Sequence, residues 1–218
     1  MSDLLDCTDP NTRPMAIGTA ARAVSAGSVV VLPTDTLYGI GADAFNPDAV
    51  SSLLAAKGRG RDMPVPVLVG SWHTIDGLVS AVSGPARDLV EAFWPGALTL
   101  VVEHAPSLAW DLGDARGTVA IRMPLHPVAL ELLAQTGPMA VSSANITSMP
   151  PAVTAQQAYE QLGESVSVYL DGGEAPAGQA STIVDLTGPV AVVLRQGAVS
   201  MAALREVLDT VELPGQPS

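Results

Sequence analysis

The chain has 218 residues, 48% hydrophobic and 15% charged, with 20 Gly and 18 Pro. This is enough for one sizeable domain with its own core, and too little Gly and Pro for a low-complexity or collagen-like chain. Ten basic against 22 acidic residues give a net charge of −12, and only 4% of residues are aromatic, which argues against broad nucleic-acid binding and against a base-stacking platform.

The single cysteine, Cys7, rules out an internal disulfide. The acidic start MSDLLDCTDP has no signal-peptide layout, and no apolar run reaches the ~18 residues that span a bilayer. The expectation is a cytoplasmic protein without membrane attachment.

Residues 1–13 read as a tail with a possible first strand. Helical spacing of Met15, Ile17, Ala20 and Val24 predicts a helix over 14–26, stopped by Gly27. SVVVLPTDT follows as a buried strand cut by Pro33. Asn46 is an N-cap with Pro47 at the first helical position, opening DAVSSLLAAK, and VPVLVG is a strand. Pro85 opens the helix ARDLVEAFW, and ALTLVVEH is a strand after the Pro95-Gly96 turn. TVAIRMP is a strand, HPVALELLAQ a helix ended by Gly137, and MAVSSAN a strand. Thr154 and Gln157 form a capping box for AQQAYEQL. The strands VSVYL, STIVDL and VAVVLR come next, then a helix from about Ser200 to Leu208, and a flexible tail over 209–218. Alternating helices and strands followed by consecutive strands predict one α/β domain over 14–208, with helices flanking a mixed parallel and antiparallel sheet. SMPPAV, residues 148–153, is the best candidate for a mobile loop that helps to close a cavity.

Five segments can carry chemistry. In PTDTLYGIG (33–41), Thr34 and Thr36 alternate, so their hydroxyls can share a side; Gly39 and Gly41 either let the backbone come close to a ligand or form a plain glycine turn after a polar strand end. In KGRGRDMP, three of the ten cations (Lys57, Arg59 and Arg61) fall within five positions at a helix end. They can wrap one anion or simply complement the helix dipole. Arg122 lies inside the apolar strand VAIRMP and needs an anionic partner, either a ligand carboxylate or a structural Asp or Glu. VSSAN offers Ser142, Ser143 and Asn145 at a strand end. A serine nucleophile there lacks an evident base among His73, His104 and His126. STIVDL with VLRQG supplies Ser181, Thr182, Asp185 and Arg195. No metal-ligand motif is present, although Asp35 or Asp185 could help to hold a nucleotide-bound Mg2+.

Taken in order, PTDTLYGIGADAF, AAKGRGRDMP, FWPGALTLV, TVAIRMPLHP, VSSAN, STIVDL and VLRQG resemble the YrdC-like family of threonylcarbamoyl-AMP synthases, over about residues 15–200. The resemblance implies a twisted mixed sheet around a concave cationic cavity, in a short form without the extra C-terminal domain of longer relatives. It implies that L-threonine, bicarbonate or CO2, and ATP with Mg2+ yield threonylcarbamoyl-AMP and pyrophosphate. A downstream transferase complex then modifies the tRNA adenosine next to the anticodon. By motif, Lys57 and Arg59 would be catalytic and hold the phosphates. Thr36, Arg122, Ser142 and Ser181 would contact L-threonine, and Thr118, Ala144 and Arg195 would contact ATP. Met63 and Leu68 depart from the family pattern at the threonine pocket. The alternative is a paralogue of the same fold that binds nucleotide or double-stranded RNA without activating threonine. The acidic charge makes direct tRNA binding weak or absent.

Overall fold

The apolar run over 29–32 is buried from two sides at once. Val30 and Leu32 point into one core cluster, Val29 and Val31 into another, as period-two alternation requires of a strand covered on both faces. This strand lies within an eleven-stranded mixed sheet. The computed structural model describes residues 2–176 and 178–215. Along the chain run β1 (Asp3–Asp6), α1 (Arg13–Ser25), β2 (Val30–Leu32), β3 (Gly39–Asp43), α2 (Pro47–Lys57), β4 (Val67–Leu68), α3 (Ile75–Leu78) and α4 (Gly84–Phe93). There follow β5 (Leu98–Glu103), β6 (Thr118–Arg122), α5 (Pro127–Thr136), β7 (Met139–Ser143), α6 (Ala155–Leu162), β8 (Val168–Asp171), β9 (Thr182–Asp185), β10 (Ala191–Arg195), α7 (Met201–Val207) and β11 (Val211–Glu212).

The strand order is β1-β8-β2-β3-β7-β4-β6-β5-β9-β10-β11. Parallel pairs (β1 with β8, β8 with β2, β4 with β6, β5 with β9, β10 with β11) are mixed with antiparallel ones, three of which run together from β2 to β4. The predicted single-domain α/β architecture, with helices flanking a mixed sheet, is thus the one observed. Helices α1 and α5 cover one face through Ile17, Ala20, Val24, Ala129 and Leu132. Helices α2, α4, α6 and α7 cover the other through residues such as Leu53, Leu89, Ala158 and Leu204.

Local signals set several ends. Asn46 Oδ1 accepts from Ala49 N (3.1 Å), Pro47 opens α2, and Gly58 closes it at φ 60°, a cap worth about 1 kcal/mol. Thr154 caps α6 as expected. Gln157 completes the box differently, accepting from Val153 N at 2.9 Å rather than from the Thr154 amide.

Three sequence readings are corrected. Gly39 and Gly41 belong to a strand, β3, not to a turn. A Cβ on Gly39 would lie 2.6 Å from Val141 Cγ1, and one on Gly41 2.9 Å from Met139 Cε. The glycines therefore serve a close approach of β7 side chains. The tail expected from 209 begins instead as β11, parallel to β10; residues 216–218 of that tail lie outside the described residues. The loop over 148–153 does border the cavity, through Pro151, but it is tied down rather than free. Asn145 Nδ2 donates to Met149 O (2.7 Å), Gln161 Nε2 to Pro150 O (3.0 Å), and Tyr38 N to Ala152 O (3.0 Å).

Candidate active site

Alternation along the second half of the sheet builds the site. Leu98, Leu100, Ile121 and Val184 point into the larger core. Their neighbours Thr99, Val101, Thr118, Ala120, Arg122 and Ile183 line an open cavity of ≈ 480 Å³. Arg122 sits in an apolar strand because it stands on the cavity face. The lining holds three arginines, Arg59, Arg122 and Arg195, and no Asp or Glu. In a chain of net charge −12, this is a local concentration of positive charge.

The three guanidinium groups are held differently. Arg122 is 6% exposed. It donates from Nη2 to Asp35 Oδ1 (2.6 Å), from Nη1 to Thr36 Oγ1 (2.8 Å) and from Nε to Gly96 O (2.9 Å). Its partner is therefore a structural carboxylate, one of the two alternatives left open by the sequence. Arg59 donates from Nε to Met63 O (2.9 Å), from Nη2 to Pro64 O (3.0 Å) and from Nη1 to Ser142 Oγ (2.9 Å). Arg195 donates from Nε and Nη2 to Ser181 O (3.0 and 2.8 Å) and from Nη2 to Ser181 Oγ (3.1 Å). Among the described residues, neither Arg59 nor Arg195 has a carboxylate within ion-pair distance. Burial lowers the proton affinity of all three, so an anion entering the cavity is drawn to charges that water screens poorly.

Hydroxyls link these anchors. Thr34 Oγ1 donates to Leu37 O (2.6 Å), so at the 3.0 Å contact between Thr34 and Thr36 it is Thr36 that donates. The chain Arg122 to Thr36 to Thr34 to Leu37 O is then fully directed. Ser181 Oγ meets Thr99 Oγ1 at 2.8 Å, and Thr118 Oγ1 donates to Ala115 O at 2.7 Å. Thr99 was missed by the sequence reading, although its place as a polar residue in the alternating strand LTLVVE is the same signal that singled out Arg122.

The expected three-cation cluster does not form. Lys57 is 2% exposed and stands behind the wall, outside the cavity lining. Its ammonium donates to Ser143 O, to Asn145 O (2.6 Å) and to Asn145 Oδ1 (3.2 Å). Burial, with help from the Arg59 charge, pulls it down to about 8, while three acceptors hold all three of its protons. Arg61 turns to the surface, 2.6 Å from Asp111 and 3.9 Å from Asp114. The cationic site is instead assembled from arginines that lie far apart in sequence. Ala144 is fully buried and also outside the lining, its amide donating to Tyr38 O (2.8 Å).

The Met63 departure is harmless to the Arg59 contact, because Arg59 uses the Met63 carbonyl, which any side chain would leave in place. Leu68 does line the cavity. None of His73, His104 and His126 lines it, and Ser142 Oγ faces a guanidinium, which cannot take up its proton, so a serine nucleophile has no base here. Both candidates for Mg2+ have one carboxylate oxygen engaged. Asp35 Oδ1 serves Arg122 and Leu125 N, and Asp185 Oδ1 serves the backbone and hydroxyl of Thr187. Among the described residues no group of three or more His, Cys, Asp or Glu could hold a metal ion.

Fold and cavity define a single-domain α/β protein with an arginine-lined cavity on one face of its sheet. The Sua5/YciO/YrdC family, described as "Telomere recombination", matches residues 22–197. A provisionally named threonylcarbamoyl-AMP synthase of Mycobacterium tuberculosis (strain ATCC 25618 / H37Rv) is 62% identical over 208 residues, 95% of this chain and 96% of its own length. The threonylcarbamoyl-AMP synthase of Bacillus subtilis is 34% identical over 96% of this chain and 61% of its own. The structure of Pyrococcus abyssi Sua5 complexed with L-threonine superposes with a TM-score of 0.92 at 30% identity, covering all of this chain and 65% of that one. Against these two longer proteins the chain spans less than two thirds of the relative. The chain belongs to the Sua5/YciO/YrdC family.

Proposed function

We propose that this protein makes threonylcarbamoyl-AMP and pyrophosphate from L-threonine, bicarbonate or CO2, and ATP. A separate transferase complex then carries the threonylcarbamoyl group to the tRNA adenosine next to the anticodon. The observation that carries the reading is the cavity lined by Arg59, Arg122 and Arg195 and by no carboxylate, in a chain of this family.

The threonine amine adds to CO2, losing a proton, to give a carbamate; from bicarbonate, water leaves in place of that proton. A carbamate oxygen attacks the α-phosphorus, and the bond to the α–β bridging oxygen breaks with its electron pair leaving on pyrophosphate. No enzyme nucleophile is needed, which suits a site whose serines lack a base. Catalysis is positioning and charge neutralisation. Arg59 and Arg195 receive the triphosphate and the departing pyrophosphate. Thr118 stands on the nucleotide side, while Arg122, Thr36 and Ser181 receive threonine. Ser142, bonded to Arg59, lies where the two substrates meet. Lys57 and Ala144 support this wall from behind. The cavity lining offers no carboxylate to a divalent ion, so Mg2+ enters as part of the nucleotide substrate.

The test is to incubate the protein with ATP, Mg2+ and bicarbonate, with and without L-threonine, and to follow pyrophosphate and threonylcarbamoyl-AMP by mass. Threonine-dependent formation of both is expected. ATP binding without product would point instead to a nucleotide-binding paralogue. Direct tRNA binding is expected to be weak, and a tight complex with a steep salt dependence would contradict this.

Arg61→Ala is expected to leave the rate within about twofold and the melting temperature close to that of wild type, because an exposed ion pair contributes little. Parallel thermal melts and rate measurements check both. A large loss of rate would return Arg61 to the site.

A further inference from the structure

We propose that Asp35 is a positioning residue that divides the cavity arginines into two kinds, and thereby keeps phosphate out of the amino-acid end. The proposal rests on the reaction given above. Asp35 itself is absent from the cavity lining. It acts through Arg122, at 2.6 Å, in a pair whose side chains are only 8% and 12% exposed. Its carboxylate is anchored from the other side by Leu125 N at 2.8 Å. Arg122 is thus fixed at three of its five N–H groups and keeps two for a ligand.

Arg59 and Arg195 bond only to carbonyl and hydroxyl oxygens; the Asp62 charge offsets part of that of Arg59 from beyond contact distance, but neither is paired with a carboxylate as Arg122 is. Arg122 and Arg195 also repel one another, and Asp35 offsets that repulsion on one side alone. The two ends of the cavity consequently suit different ligands. A triphosphate needs excess positive charge. A zwitterionic amino acid, with no net charge, needs directed donors for its carboxylate and gains nothing from a surplus cation beside its ammonium. Without the Asp35 charge, all three guanidinium groups would compete for phosphate, and nucleotide or pyrophosphate would intrude on the threonine end.

Asp35→Asn removes the charge and keeps the acceptor oxygen for Arg122 and Leu125 N. Pyrophosphate affinity, measured by calorimetry, is expected to tighten about threefold to tenfold, while the KM for L-threonine rises about tenfold. A residue that merely supported the fold would weaken both. Asp35→Glu keeps the charge and displaces it, so the KM for threonine rises while pyrophosphate affinity stays within about twofold. Weaker pyrophosphate binding by a folded Asp35→Asn, or an unchanged threonine KM in Asp35→Glu, overturns the proposal. Wild-type protein assayed alongside separates the two readings: if it makes no threonine-dependent product, the reaction is wrong, whatever pyrophosphate binding does.

Discussion

Arg59→Ala is expected to lower kcat/KM for ATP by about a hundredfold or more, the usual consequence of removing a preorganised charged donor from a site of charge development. Arg59 is one of two cavity guanidinium groups with no carboxylate partner. Its removal therefore subtracts a charge that Asp62 offsets only from beyond contact distance. Its acceptors are the Met63 and Pro64 carbonyls and the Ser142 hydroxyl. Both carbonyls belong to exposed residues that water can reach, so the cost to folding is small. Arg59→Lys restores charge but offers a single point of donation where three oxygens expect a planar fork, and recovers only part of the rate. Steady-state pyrophosphate release with ATP varied reads the effect, and a variant within threefold of wild type would remove Arg59 from the phosphate site.

Lys57→Met should show the opposite pattern, a protein hurt first in stability. The substitution leaves Ser143 O, Asn145 O and Asn145 Oδ1 without the ammonium that now satisfies them. Charge-assisted bonds of this kind cost about 3 kcal/mol or more to break when the acceptors stay buried, a melting temperature lower by roughly 6–12 °C for a chain of this size. Thermal and denaturant melts of the two variants side by side make the comparison. If Lys57→Met melts with wild type while losing ATP affinity, the lysine touches phosphate and does not hold the wall.

Much of the fold was legible because local chemistry dictated it. The Asn46 cap with Pro47 and Gly58 fixed α2 without tertiary help, and period-two alternation placed Arg122 on one face of its strand. What the sequence hid was set by neighbours distant in the chain. Gly39 and Gly41 read as a turn because nothing local reveals that Val141 and Met139 occupy the space where side chains would be. Strand β11 is two residues long and gains its identity only by pairing with β10. The site followed the same division. The residue types were legible, but Lys57, Arg59 and Arg61 looked like one cluster while their side chains diverge to a buried wall, the cavity and the surface. Sequence proximity sets where side chains begin, not where they end.

Four of the bonds that hold the cavity share a property with consequences for how the protein comes to life and is lost. Arg122 to Thr36 spans 86 residues, Lys57 to Asn145 spans 88, Arg59 to Ser142 spans 83, and Thr99 to Ser181 spans 82. The cavity is complete only when residues from Thr34 to Arg195 are brought together. Such non-local closure is slow to form, since loop entropy is spent before any contact rewards it. During synthesis the pocket stays incomplete until Arg195 has emerged. A proteolytic nick that lets one end of the sheet drift therefore silences the chemistry even where most of the core persists, and catalytic rate becomes a reporter of whole-chain integrity.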